Sequence, residues 1–278
     1  MKDVLFPIVP LCEKQLRDVR EEDRVFVNGV PLARTCRIDK AGGGYDQFRD
    51  IFLARFGIDT GPDHFIAQLY GCTHECPWCY ITIDGVWGDA VQLKAREIVN
   101  LVHYVNEKRR AAVSVYDART GTIQDAQPQI QVLHLMGGAP ALYLNSWPAL
   151  YHETLKADLV FHSDFLLDEG LYNIHVLECL AGLYKEYQER GASHGYYTPC
   201  NSGQLHAVSF KPGAPLSRLQ LANLKALHAS GLPFYITFTG MQEEEIQARK
   251  AQVIAAGITE EVFNDSFSIS LKHYKSLD

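Results

Sequence analysis

"HFIAQLYGCTHECPWCY", residues 64–80, runs an apolar segment into three cysteines. The first seven residues read as a buried strand: short, apolar, and stopped by Gly71. Cys72, Cys76 and Cys79 follow at spacings of four and three. The other cysteines, Cys12, Cys36, Cys179 and Cys200, are far away in sequence. Cys179 falls mid-helix on an apolar face and reads as core. Cys200 precedes the fourth predicted strand, on the opposite rim.

Downstream of the cysteines, helical and strand patterns alternate. Residues 89–110 carry Val91, Ala95, Ile98, Val99, Val102 and Val105 at helical spacing. Strand patterns follow at 129–136, 158–164, 205–211, 233–239 and 266–274. Between them, helices are predicted over 146–157 (N-cap Ser146, Pro148 in the first turn), 169–191, 216–231 and 242–257. Glycines close two of these, Gly191 and Gly231. Six strands alternating with five helices imply right-handed crossovers and a parallel sheet. Six units are too few for the closed eight-stranded barrel, which leaves an open partial barrel or a doubly wound sheet. In both, chemistry collects where strands end. The cysteines, "MGGAP" (136–140), "HSD" (162–164), "FKPG" (210–213) and "FTG" (238–240) are therefore expected at one mouth.

Residues 1–60 have a different pattern and are expected to form an extension, with the main domain over 61–278. Asn28-Gly29 between apolar runs predicts a tight hairpin. Pro31 weakens the second strand of that hairpin or places it at an edge. "AGGGY" (41–45) reads as a flexible linker.

Composition narrows the function class. The chain has 278 residues, 47% of them apolar, enough for a full core. A net charge of −7 disfavours nucleic acid as the main partner. No apolar stretch reaches the roughly 20 residues that span a bilayer. The N-terminal run is broken by Pro7 and Pro10 and does not read as a signal peptide. The expectation is a soluble cytoplasmic protein with reduced thiols. Seven cysteines at uneven spacing also argue against a disulfide framework.

Three readings of the cysteines compete. A structural zinc site needs four closed ligands, and His74 sits awkwardly for the fourth. A ferredoxin-like electron carrier needs four cysteines. In the third reading, three thiolates hold a 4Fe–4S cluster and leave one iron open for a ligand. The pattern Cys-x3-Cys-x2-Cys, with Trp78 just before the last cysteine, resembles the cluster motif of the radical S-adenosylmethionine superfamily. "GGAP" (Gly137, Gly138, Ala139, Pro140) is similar to the Gly-Gly-Glu-Pro-like segment that this superfamily carries after its second strand, with Ala139 in place of the usual glutamate. "TFTGMQEEE" (237–245) loosely resembles its fifth-strand glycine segment.

The resemblance covers about residues 64–275. It implies an open partial (β/α)6 TIM-like barrel behind the N-terminal extension, in a layout similar to the activating enzymes of glycyl-radical proteins. It implies an enzyme in which Cys72, Cys76 and Cys79 hold the cluster. Gly137, Gly138, Ala139 and Pro140 would bind the methionine end of S-adenosylmethionine, and Trp78 would contact its adenine. Ser163, Asp164, Ser209 and Lys211 are further candidates for cofactor contact. The implied activity is reductive cleavage of S-adenosylmethionine to a 5′-deoxyadenosyl radical, which takes hydrogen from a peptide, protein or small-molecule substrate. The implied electron source is an external flavodoxin or ferredoxin type of donor. His134, on an apolar strand, reads as a core histidine.

Overall fold

A computed structural model of the chain describes residues 4–36, 63–72, 83–111, 115–117, 122–124, 129–167, 170–191, 200–206, 215–232, 234–239, 241–263 and 267–269. The chain begins with β1 (Leu5–Ile8) and a short helix, α1 (Glu13–Asp18). A hairpin follows, β2 (Arg24–Val27) and β3 (Val30–Cys36), paired antiparallel. Asn28 and Gly29 both have positive φ, 51° and 80°, as a two-residue turn matched to strand twist requires. Pro31 stays in β3, and the register slips beside it, between Val25 and Phe26.

The stretch that opens at His64 forms β4 (Asp63–Ala67). A single turn, α2 (Ile83–Val86), leads to β5 (Val91–Lys94) and then to helix α3 (Ala95–Ala111). The helix predicted from residue 89 therefore starts later. "VQLK" alternates half-buried and exposed residues and pairs antiparallel with β1. The Lys94 N–H donates to the Glu97 carboxylate at 2.7 Å, which fixes the switch from strand to helix. A small hairpin, β6 (Val115–Asp117) and β7 (Thr122–Gln124), precedes β8 (Ile130–Leu135).

A 3-10 segment (Pro140–Ser146) then enters α4 (Trp147–Lys156). Ser146 makes no side-chain cap bond, because the preceding helical turn already covers that end. After α4, Asp158 takes φ 54°, a left-handed conformation that Asp tolerates, and β9 begins only at Val160 (Val160–Leu166). The remaining elements are α5 (Ile174–Gly191), β10 (Cys200–His206), α6 (Arg218–Ser230), β11 (Tyr235–Thr239), α7 (Glu243–Ala255) and β12 (Phe267–Ile269). Helix α6 ends at the predicted Gly231, at φ 70°, and begins with a reciprocal Ser217–Gln220 cap not singled out from the sequence.

The architecture is mixed α/β around an open eight-stranded sheet, ordered β12-β11-β10-β9-β8-β4-β3-β2. From β4 to β12 all neighbours are parallel, while β3 and β2 continue antiparallel beyond β4. The parallel strands lie side by side in chain order with no reversal. A doubly wound sheet needs a reversal, so that alternative is removed. Helices α3, α4, α5 and α6 each pack on the next, in the same order as the strands. Among the described residues, no helix is long and apolar enough to cross a membrane.

Alternation gives each strand two faces. Phe65, Ala67, Leu133, Leu135 and Phe161 belong to the main apolar core. Phe161 meets Trp147 and Tyr151 of α4 edge-on, each with ring centroids 5.4 Å apart, so this face lies under the helices. Two buried asparagines tie helices to the sheet: the Asn106 side chain closes both backbone groups of Ile130, at 2.7 and 3.0 Å. Asn223 in α6 donates to the carbonyls of Leu167 and Gly170 and accepts from Tyr172 N–H. The opposite face carries His64, Ile66, Val132, His134, Val160 and His162, all buried.

Candidate functional site

Two strand ends meet as the sequence predicts. After β4 the chain runs through Leu69, Tyr70 and Gly71 to Cys72. This path is held from both sides: Tyr70 N–H donates to the Pro7 carbonyl and Gly71 N–H to that of Val86, at 3.0 and 2.7 Å. Gly71 has φ 87°, left-handed, which turns the chain into Cys72. After β8, Gly137 and Gly138 are also left-handed, at 83° and 61°. The turn folds "GGAP" back onto the β4 exit, where Ala139 N–H donates to the Gly71 carbonyl at 2.7 Å. The Tyr143 hydroxyl, in the segment that follows, donates to the Tyr70 carbonyl at 2.8 Å. Cys72, half-buried, thus sits beside the glycine turn, although 65 residues separate Cys72 from Gly137 in sequence.

Gly138 lets two backbone segments of the protein meet. A Cβ on Gly138 would lie 2.1 Å from the Leu69 carbonyl oxygen and 2.7 Å from that of Gly71. Ala139 is completely buried. Pro140 is buried too and opens the 3-10 segment, its carbonyl accepting from Trp147 Nε1 at 3.2 Å.

Other expected positions move. "HSD" was expected at a strand end, but β9 runs to Leu166, so His162, Ser163 and Asp164 lie inside it. Ser163 is level with Leu135 and fully buried, and its hydroxyl donates to the Leu135 carbonyl at 3.5 Å. Asp164 pairs with Ser202 in register. Among the described residues the fourth parallel strand is Cys200–His206, which starts before the predicted 205–211 and shares Leu205 and His206 with it; residues 207–211 lie outside the described residues, and Cys200 pairs with His162. Pairing to β9 and β11 outweighs the apolar pattern that pointed to the later segment. Cys179, expected in the core, lies in α5 but is exposed. Cys76, Cys79, Trp78, Ser209, Lys211 and the 41–45 linker lie outside the described residues.

A scan of protein-family models finds no match to this chain, and a search of curated proteins finds none.

Sequence reasoning missed one cluster. His64, His134 and His162 come from three adjacent parallel strands and lie 3, 4 and 0% exposed. His134 pairs directly with His162, and Ile66 is level with His134, which places His64 two residues back on the same face. His64 Nδ1 lies 3.3 Å from His134 Nδ1, and the His134 and His162 ring centroids are 3.9 Å apart. Burial, then the neighbouring His134, holds the His64 imidazole well below its ordinary range. Burial, then the Arg34 guanidinium, holds His134 at about 3. Both rings are neutral near pH 7. The one available signal was the repetition of a histidine in three apolar strand patterns.

This neutrality has a stability consequence. Below pH 6.5 the unfolded chain binds protons on these imidazoles that the folded chain refuses. Their contribution is complete above about pH 6.5 and is lost as pH falls toward the folded value of His134, about 3. At pH 5 the loss is about 2 kcal/mol for His134, and His64 adds to it in the same direction. Urea unfolding of chelator-treated protein should show it as a lower midpoint at pH 5 than at pH 7.5. A midpoint unchanged between those values would contradict the neutral cluster.

Proposed function

We propose that this chain is a radical S-adenosylmethionine enzyme, and that its sheet curls as an open partial barrel. The observation that carries the reading is Cys72. It begins a Cys-x3-Cys-x2-Cys run directly after the first parallel strand and rests beside the glycine turn that ends the second. Sequential parallel strands under one row of helices favour the curled form, as does burial of the face opposite those helices.

The donor set fits a cluster with an open position. Three thiolates in eight residues suit iron, and Cys72 is half-buried at a strand exit rather than packed in the core. In this reading Cys72, Cys76 and Cys79 hold a 4Fe–4S cluster, and the Gly137–Pro140 turn offers backbone groups to the methionine end of S-adenosylmethionine. The cluster, when bound, supplies the single electron that cleaves the cofactor. The Leu69–Gly71 segment, clamped by β1 and the Val86 carbonyl, fixes where Cys72 stands relative to the turn. An open sheet edge suits a bulky substrate such as a peptide or protein loop. The electron would come from an external flavodoxin or ferredoxin type of donor.

The test is anaerobic. Protein reconstituted with iron and sulfide, given dithionite and S-adenosylmethionine, should turn brown and release 5′-deoxyadenosine. A colourless protein holding one zinc on the cysteines, or a cluster that leaves S-adenosylmethionine intact, would overturn the assignment.

A further inference from the structure

We infer that His64, His134 and His162 form a second metal site, for one divalent transition-metal ion of the zinc class. Each strand contributes one imidazole to the same buried face, and a ring nitrogen of each lies within 4.8 Å of the other two. The closest pair, Nδ1 of His64 and Nδ1 of His134, is 3.3 Å apart. Tetrahedral zinc with bonds of ~2.0–2.1 Å sets neighbouring ligand nitrogens about 3.3 Å apart, so that pair already stands at ligand spacing. The His64 and His162 ring centroids are 6.0 Å apart, with the ring planes at 87°. Three imidazoles are a complete set for an ion that keeps one position for water or a ligand.

The chemistry of the cluster selects the ion. Imidazole nitrogen suits zinc, cobalt, nickel or copper, whereas calcium and magnesium require oxygen ligands. Arg34 stands on the next strand, in register with Ile66, and its charge lowers the His134 pKa. That charge opposes any cation, so only a metal with strong imidazole bonding overcomes it. The competing account is a hydrogen-bonded imidazole cluster without an ion. It explains the 3.3 Å contact equally well, and only metal binding separates the two.

The site uses none of the cysteines, so it is tested in full-length protein carrying Cys72→Ser, Cys76→Ser and Cys79→Ser. Success or failure there is independent of the S-adenosylmethionine chemistry. The expected result is one zinc per chain retained through desalting. Cobalt should give the visible absorption of a four-coordinate ion without a thiolate charge-transfer band, and zinc should raise the melting temperature. Adding His134→Gln or His162→Gln should weaken binding roughly 100-fold while magnesium and calcium stay without effect. If a histidine variant does not fold, the cobalt spectrum of its parent decides. A folded parent that takes up neither zinc nor cobalt overturns the proposal, as does undiminished binding in a folded histidine variant.

Discussion

Gly138→Ala should cost about 4 kcal/mol of stability, a large share of the roughly 5–15 kcal/mol that holds a domain folded. Two effects add. At φ 61° an alanine is left-handed, worth about 1–2 kcal/mol against it. Its methyl carbon would also lie 2.1 Å from the Leu69 carbonyl oxygen, far inside any tolerable contact. Neither neighbouring carbonyl retreats cheaply. The Gly71 carbonyl accepts from Ala139, and Leu69 bridges to Ile8 while Tyr70 is tied to Pro7. Withdrawal would open β1 from the sheet exit. Gly231→Ala supplies the comparison: φ is 70°, but nothing lies within 4 Å of the added carbon. It should cost only about 1 kcal/mol. Urea unfolding of both variants isolates the steric part as the difference. Equal losses would mean that the two strand exits do not press together.

That contact also shows what a sequence reveals and what it withholds. The alternation that placed strands and helices is local, and so were the Asn28-Gly29 turn and the Gly231 stop. Each survives because the hydrophobic period and the turn chemistry agree. The glycines of "GGAP" were legible as a backbone approaching something closely. What Gly138 approaches in the fold is the Leu69 and Gly71 carbonyls, an arrangement that depends on strand register. Register also hid the histidine cluster. His64 and His134 are 70 residues apart and His134 and His162 are 28 apart, and only inter-strand hydrogen bonding sets them level. The same limit moved "HSD" from a strand end to the interior. The helix α4 exit spends Asp158 in a left-handed turn, so β9 starts two residues later than its apolar pattern does. The early start of the fourth parallel strand was not legible because "CNSGQLH" is polar and pairs on both sides, so its neighbours rather than its composition make it a strand.

Cys72→Ala should abolish 5′-deoxyadenosine release while leaving the fold intact. In the proposed site Cys72 is one of three ligands, and losing a ligand outright exceeds the ~10–100-fold effect typical of losing only a supporting contact to one. Product should therefore fall by more than about 100-fold, with the brown colour reduced in parallel. Stability is a separate matter. Cys72 is half-buried and a small side chain, so truncation should cost under about 1 kcal/mol. The pair of outcomes carries the argument. Gly138→Ala should lower product together with its urea midpoint, and Cys72→Ala should lose product at a nearly unchanged urea midpoint. If Cys72→Ala instead retained product at a comparable rate, the thiol at the β4 exit would hold no essential metal. The Cys-x3-Cys-x2-Cys run would then need an explanation other than an open iron–sulfur cluster. If it lost product together with several kcal/mol of stability, the cysteines would be acting as a structural clamp, which is the zinc reading of the same residues.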